Sequence, residues 1–204
     1  EEDVDNDRIC PILELTLKDL KSGGDIDAQD FLYRAQLLGM LGYTVMISNY
    51  AKYYKVVEYL AELTRDYKIG LILGIYSLET IFDRKYYGTL KGGILQAFGQ
   101  GFGRNVKLYT YPAIKLNSTD LYTLENLEIP EDLKGLMTYM IDNNKLQNIP
   151  VSNKEHLHIY SDNVIQMIKN GESGWEEMVP EIVSTNIKKH KLFGYQMNLE
   201  GAMK

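Results

Sequence analysis

"YTVMISNYAKYYKVVEYLAEL" (Tyr43–Leu63) passes from a short apolar run through a Ser-Asn turn into a segment with Tyr53, Val56, Val57, Leu60 and Leu63 at helical spacing. The run Thr44 to Ser48 reads as a buried strand, and the following segment reads as an amphipathic helix. A strand that ends on a hydroxyl and an amide presents both at the sheet edge where α/β folds place their ligands. The reading of the chain turns on what stands opposite Ser48 and Asn49.

Working outward, "ICPILELTL" (Ile9 to Leu17) is nearly continuous in apolar residues, the pattern of a strand covered on both faces. Asp27 is placed to cap the next helix, with Asp30 in its first turn. That helix sets Phe31, Ala35, Leu38 and Leu41 on one face, with Leu32 and Leu37 beside them, and stops at Gly42. "KIGLILGIY" is a third strand, and another helix begins at Ser77. Strand, helix, strand, helix, strand is the signature of parallel βαβ units with right-handed crossovers. The expectation is one mostly parallel sheet of four or five strands, a three-layer Rossmann-like α/β domain spanning residues 1–112. Its three strand C-termini would share one edge that carries Glu14, Thr16, Ser48, Asn49 and Gly74.

The middle of the chain is glycine-rich, with Gly92, Gly93, Gly99, Gly101 and Gly103 before Arg104. It matches neither a Walker loop nor a dinucleotide fingerprint, because these glycines precede a strand (Val106 to Tyr111) instead of following one. The segment reads as loop and turn whose small residues permit close packing, with Arg104 and Lys107 as candidate phosphate-binding cations. Residues 117 to 131 read as a loop and Leu133 to Leu146 as a helix. Leu157 to Tyr160 reads as a strand, followed by a helix to Lys169 capped by Ser161 or Asp162. A last helix runs from Pro180 to about His190, with Trp175 as its anchor. Residues 113–204 are therefore expected to form an α-rich C-terminal extension on the same domain.

Composition narrows the function. A net charge of −6 over 204 residues argues against a nucleic-acid surface, and the basic run Lys188 to Lys191 sits where cations complement a helix C-terminus. One cysteine, Cys10, excludes an internal disulfide framework, points to a reducing, cytoplasmic setting and reads as a packed thiol. No apolar run approaches a membrane span. The abrupt start "EEDVDNDR" is expected of a piece of a longer protein. His156 and His158 have no carboxylate or cysteine at ligand spacing, so no metal site is expected there; the cofactor stays open, with magnesium compatible with the sequence but supported by no motif in it. The sixteen tyrosines read as core-edge residues.

Two resemblances follow from these residues. "PILELTL", a helix, and "LGYTVMISN" with its following helix resemble the opening of a haloacid dehalogenase-type Rossmannoid domain. The resemblance lays Ile12 on the nucleophile position, Glu14 on the acid/base position, Thr16 on the motif threonine and Ser48 on the phosphate-binding hydroxyl. "GIYSLE" echoes the later acidic motif, with Ile75 for its first acid and Glu79 for its second. An isoleucine neither attacks phosphorus nor holds a metal, so the resemblance implies a domain that has lost phosphotransfer. Along nearly the whole chain, "IGLILG", "IFDRKYY", "KGGILQAFG", "KLYTYP" and "GWEEMVPEIV…KKHKLFGY" are similar to the C-terminal half of an uncharacterised bacterial family whose members sometimes carry the label nicotinate-nucleotide adenylyltransferase. No HxGH-type motif, which that chemistry needs, occurs in this sequence.

The expected function is binding of a small, phosphorylated or nucleotide ligand, or of a neighbouring domain, at the strand edge without a nucleophile of its own. Two alternatives stand beside it. One is a nucleotide-handling transferase or hydrolase completed by a missing N-terminal half, with Glu14 as base or metal ligand and Arg104 or Lys107 as phosphate clamp. The other is a structural interaction domain.

Overall fold

The computed structural model describes residues 4–17, 28–64, 66–103, 105–151 and 153–196, with backbone alone at 28 and 30. The chain divides into two compact units, residues 1–49 with 159–204, and residues 50–158. The boundary expected at residue 112 thus falls inside the second unit.

In the first unit, β1 (Ile12–Thr16) and β2 (Thr44–Ser48) form a two-stranded parallel sheet, joined through α1 (Ala28–Met40). The helix α1 stops as its composition requires. Gly42 adopts φ +85°, and the amides of Gly42 and Tyr43 turn back to the carbonyls of Gly39 and Leu38. Of the apolar residues expected on one face, Phe31 and Leu37 are buried whereas Leu32 is exposed. Leu37 shares a core with Val164 and Ile168 of α6 (Ser161–Asn170), Ile187 of α7 (Glu181–His190), Leu192 and Trp175. Trp175 is fully buried in that core, and the Lys188 ammonium lies over its ring at 5.6 Å while pairing with Glu176 at 2.7 Å. Cys10 is exposed, not packed, because the strand begins two residues later at Ile12. Asp27 lies outside the described residues.

The second unit is built on a three-stranded parallel sheet in the order β3-β4-β7: β3 (Ile69–Gly74), β4 (Val106–Tyr111) and β7 (Leu146–Asn148). Its register places Ile69, Leu71 and Leu73 beside Val106, Leu108 and Thr110, with Leu146 and Asn148 next in line. These residues share one face, since registered partners in a ladder point the same way. That face meets α2 (Tyr53–Leu63) through Tyr54 and Val57, α3 (Ile75–Ile81) through Ile75, Leu78 and Ile81, and α4 (Gly93–Gly101) through Ile94, Ala97 and Phe98. On the other face Ile72 is 65% exposed and Tyr111 is exposed as well, so within this unit the sheet is covered on one side.

The expectation of a single sheet is therefore replaced by two separate parallel sheets among the described residues. The physical reason is that strand-helix alternation fixes a parallel direction but does not name a strand's neighbour. The glycine-rich segment is corrected too: Gly93–Gly101 is a helix, not a loop. Its buried residues, Ile94, Ala97, Phe98 and Gly101, fall on one face, while Leu95 is exposed. At Gly101 an added Cβ would stand 2.6 Å from Tyr54 Cβ, so glycine is what lets α4 approach α2.

Further along, β5 (Ala113–Ile114) pairs antiparallel with β6 (Leu121–Tyr122), and β6 lies inside the stretch 117–131 read as loop. The helix expected to reach Leu146 ends earlier: α5 spans Lys134–Asp142, Asn144 takes φ +54°, and the chain then enters β7. The strand expected at Leu157–Tyr160 is also absent. Asn153 caps a 3-10 turn at Lys154–His156, the Leu157 amide closes that turn on the Lys154 carbonyl, and the Leu157 carbonyl accepts from the amide of Ile114.

Two substitutions test this packing. Gly101→Ala gains helix propensity but forces α2 and α4 apart, so the denaturant midpoint is expected to fall by the equivalent of about 1–2 kcal/mol. Thr110 is fully buried, and its hydroxyl has no hydrogen-bond partner among the described residues. Thr110→Val, of the same shape, is expected to raise stability by about 1 kcal/mol in the same unfolding assay.

Candidate functional site

The C-terminal edge of the β1-β2 pair is where the sequence places most of its candidate residues. Parallel pairing sets Glu14 opposite Met46 and Thr16 opposite Ser48. With a two-residue side-chain period, Glu14, Thr16 and Ser48 lie on the same face of the sheet. The ladder continues one rung past the strands, the Leu17 amide donating to the Ser48 carbonyl at 2.9 Å. Ser48 Oγ reaches diagonally back along the face and donates to Glu14 Oε1 at 2.5 Å. That length is at the short end of hydroxyl-to-carboxylate bonds, which are charge-assisted and stronger than neutral ones. Glu14, Thr16 and Ser48 are half-buried, and Asn49, the next residue, is exposed. The edge therefore carries one carboxylate and two hydroxyls side by side. Cross-strand register, not sequence proximity, brings Glu14 and Ser48 together.

The remaining candidates belong to the other unit. Gly74 caps α3 in an extended conformation and is registered with Tyr111, at the C-terminal end of β3 and β4. A Cβ there would meet nothing within 4 Å, so packing does not demand glycine at that point. Lys107 is registered with Gly70, four rungs towards the other end of the same face, on the order of 13 Å away at ~3.3 Å per residue. Its ammonium lies 5.1 Å from the centre of the Tyr109 ring. Lys107 and Gly74 are thus not brought together. Arg104 lies outside the described residues.

Ile75, set by the haloacid dehalogenase resemblance on an acid position, is fully buried in the core. Glu79 receives the Tyr122 hydroxyl at a long 3.5 Å, and that hydroxyl in turn accepts the Glu128 amide at 3.2 Å. Burial of the Tyr122 phenol pushes its ionisation above the usual tyrosine range.

A polar network at the C-terminal edge of β4 and β7 has no forerunner in the sequence reading. Asn148 donates to both Glu125 carboxylate oxygens at 2.8 and 3.0 Å and accepts the Leu124 amide at 3.2 Å. Hydrogen bonds from Thr123 and then Asn148 hold the Glu125 carboxyl below its ordinary value. Lys115 pairs with Glu128 at 2.5 Å, and the Tyr76 hydroxyl accepts the Leu116 amide at 2.9 Å. These groups answer one another, so the network reads as the fastening of residues 113–128 to the strand ends. Its sequence signal was hidden because Tyr122 and Glu125 sit in a stretch without periodicity.

His156 and His158 are both exposed. Among the described residues no group of three or more His, Cys, Asp or Glu is placed to hold a metal ion. A small cavity of about 50 Å³ in the first unit is lined by residues such as Tyr33, Gln36, Asn186 and His190 and contains none of the candidate residues. No helix of the described residues is long and apolar enough to cross a membrane. Comparison with protein-family models and with curated proteins finds no match to this chain.

The pairing of Glu14 with Ser48 is open to a double-mutant cycle. Glu14→Ala, Ser48→Ala and the double variant, unfolded in denaturant, are expected to show a coupling of about 1 kcal/mol, reduced from a buried value by partial exposure. Strictly additive effects would show that the two side chains do not interact in solution.

Proposed function

We propose that the chain binds a small ligand at the C-terminal edge of β1 and β2, with Glu14, Thr16, Ser48 and Asn49 as the contacting residues and no nucleophile supplied from this edge. The observation that carries this reading is the convergence of Glu14 and Ser48, 34 residues apart in sequence, on one hydrogen bond beside Thr16. Parallel strands in α/β proteins deliver ligand-binding groups at their C-terminal ends, and these two strands end on polar side chains. Ile12, at the start of β1, offers no atom that could form a covalent intermediate. The same reading takes the chain as a Rossmann-like, haloacid dehalogenase-like domain of a bacterial cytoplasmic protein.

A thermal-shift screen of the chain against nucleotides, nicotinamide derivatives, sugar phosphates and unphosphorylated polyols, with and without magnesium, tests the proposal. A ligand present at about 100 times its dissociation constant stabilises the folded state by roughly 2.7 kcal/mol, a shift of several degrees. The expected result is such a shift for at least one compound, abolished in Ser48→Ala. A shift that survives this substitution, or none across the panel, overturns the assignment.

A further inference from the structure

The strand β3 lies at one edge of its sheet, since it pairs with β4 and with no other strand among the described residues. The Ile69 amide donates to the Asn105 carbonyl at 2.8 Å, which fixes the phase of the backbone. Ile69, Leu71 and Leu73 turn their peptide groups to β4, so Gly70, Ile72 and Gly74 turn theirs outward. The Gly74 carbonyl is taken up by α3, of which Gly74 is the N-cap. The amides and carbonyls of Gly70 and Ile72, and the Gly74 amide, meet no partner among the described residues. Such a row is a template for another strand, and proteins blunt it with charges, prolines, bulges or brevity. The opposite edge is blunted, because β7 has three residues and Pro150 follows shortly after. By contrast, Ile69–Gly74 holds no charge and no proline, and its register with β4 runs without interruption.

We infer that this edge takes a second copy of the chain, β3 pairing antiparallel with β3 of the second copy about a two-fold axis at Ile72. The sequence selects that occupant: "GLILG" (Gly70–Gly74) reads the same in both directions. Centred on Ile72, an antiparallel pair sets Ile72 opposite Ile72, Leu71 opposite Leu73 and Gly70 opposite Gly74. The same centre suits the backbone, because outward groups then meet outward groups. The two Ile72 residues exchange amide and carbonyl bonds, and each Gly74 amide donates to the Gly70 carbonyl of the other copy. A register shifted by one residue would set outward groups against groups already bonded to β4. The side chains agree with this centre. Ile72 is mostly exposed, and contact with its copy removes apolar surface from water. A Cβ at Gly74 would meet nothing within 4 Å, so the chain's own packing does not call for glycine there, whereas close approach of another backbone does. No charge faces a like charge across the axis. A two-fold contact uses the same edge on both copies, and with the β7 edge blunted the assembly closes as a dimer.

Sedimentation equilibrium of the intact chain over a wide range of concentrations is expected to show monomer and dimer in exchange. The Gly70, Ile72 and Gly74 amides are expected to exchange slowly with deuterium in concentrated samples and quickly in dilute ones. Ile72→Lys replaces a mostly exposed side chain, so its thermal melting is expected to match that of the parent, and it sets like charges face to face across the axis. Its dimer dissociation constant is expected to rise at least tenfold. Ile72→Glu alone is expected to do the same, and an equimolar mixture of the two folded variants to regain association, because a lysine then faces a glutamate. A chain that stays monomeric at every concentration overturns the inference, and edge amides protected in that monomer would assign the edge to a different occupant. A dimer unaffected by Ile72→Lys, or a mixture that stays monomeric, places the contact away from Ile72 and overturns it as well.

Discussion

Two neighbouring parallel strands cannot be joined by a tight turn, so the chain that leaves Gly74 has to travel back along the sheet before it can enter Val106. That return path determines the core of residues 50–158. It is made from α3, a 3-10 turn at Arg84–Tyr87 and α4, and each places its apolar residues on the sheet. The 3-10 turn is tied down by the Tyr87 hydroxyl, which donates to the Ile81 carbonyl at 2.7 Å, and burial keeps that phenol in its neutral form. The close approach of α4 to α2 at Gly101 completes the layer. Sheet register, helix packing and the position of the strand ends all depend on this one crossover.

Much of this was legible where side-chain pattern and physical need coincide. Strands Thr44–Ser48 and Val106–Tyr111 stand where their β-branched, aromatic and apolar runs place them, because such side chains fit a pleated surface; Val106–Tyr111 buries its alternate residues, whereas no residue of Thr44–Ser48 is fully buried, so the buried strand expected there is half-exposed. The helix α4 was obscured by glycine, which weakens helix propensity; tertiary contact with Tyr54 outweighs that cost. The strand β7 was obscured by brevity. Leu-Gln-Asn carries no strand pattern of its own, and it is recruited because β4 presents an open edge to it. Strand partners were not legible at all, since alternation of strand and helix is the same whether the next strand joins an existing sheet or begins another.

The candidate site divides along the same line. Residue type was readable: a hydroxyl and an amide at the end of one apolar run, a carboxylate and a threonine in another. Their meeting depends on register, and β1 and β2 happen to be aligned so that Thr16 and Ser48 share a rung. For Gly74 and Lys107 the register works the other way and holds them at opposite ends of one face. The polar network around Asn148 and Glu125 was invisible for the related reason that it joins a segment without periodicity to a strand too short to recognise.

The division of the chain also has a bearing on how it emerges from the ribosome. Residues 50–158 form a contiguous unit and can complete their core as soon as β7 and the segment after it have been synthesised. Residues 1–49 cannot, because Leu37 packs against Val164, Ile168, Trp175 and Ile187, which are translated much later. Until then α1 must keep its apolar side unsatisfied while an entire compact unit is made and folded between the two halves of its core. Residues 1–49, although made before that unit, thus acquire their native environment after it, which makes them a natural client for chaperones during translation.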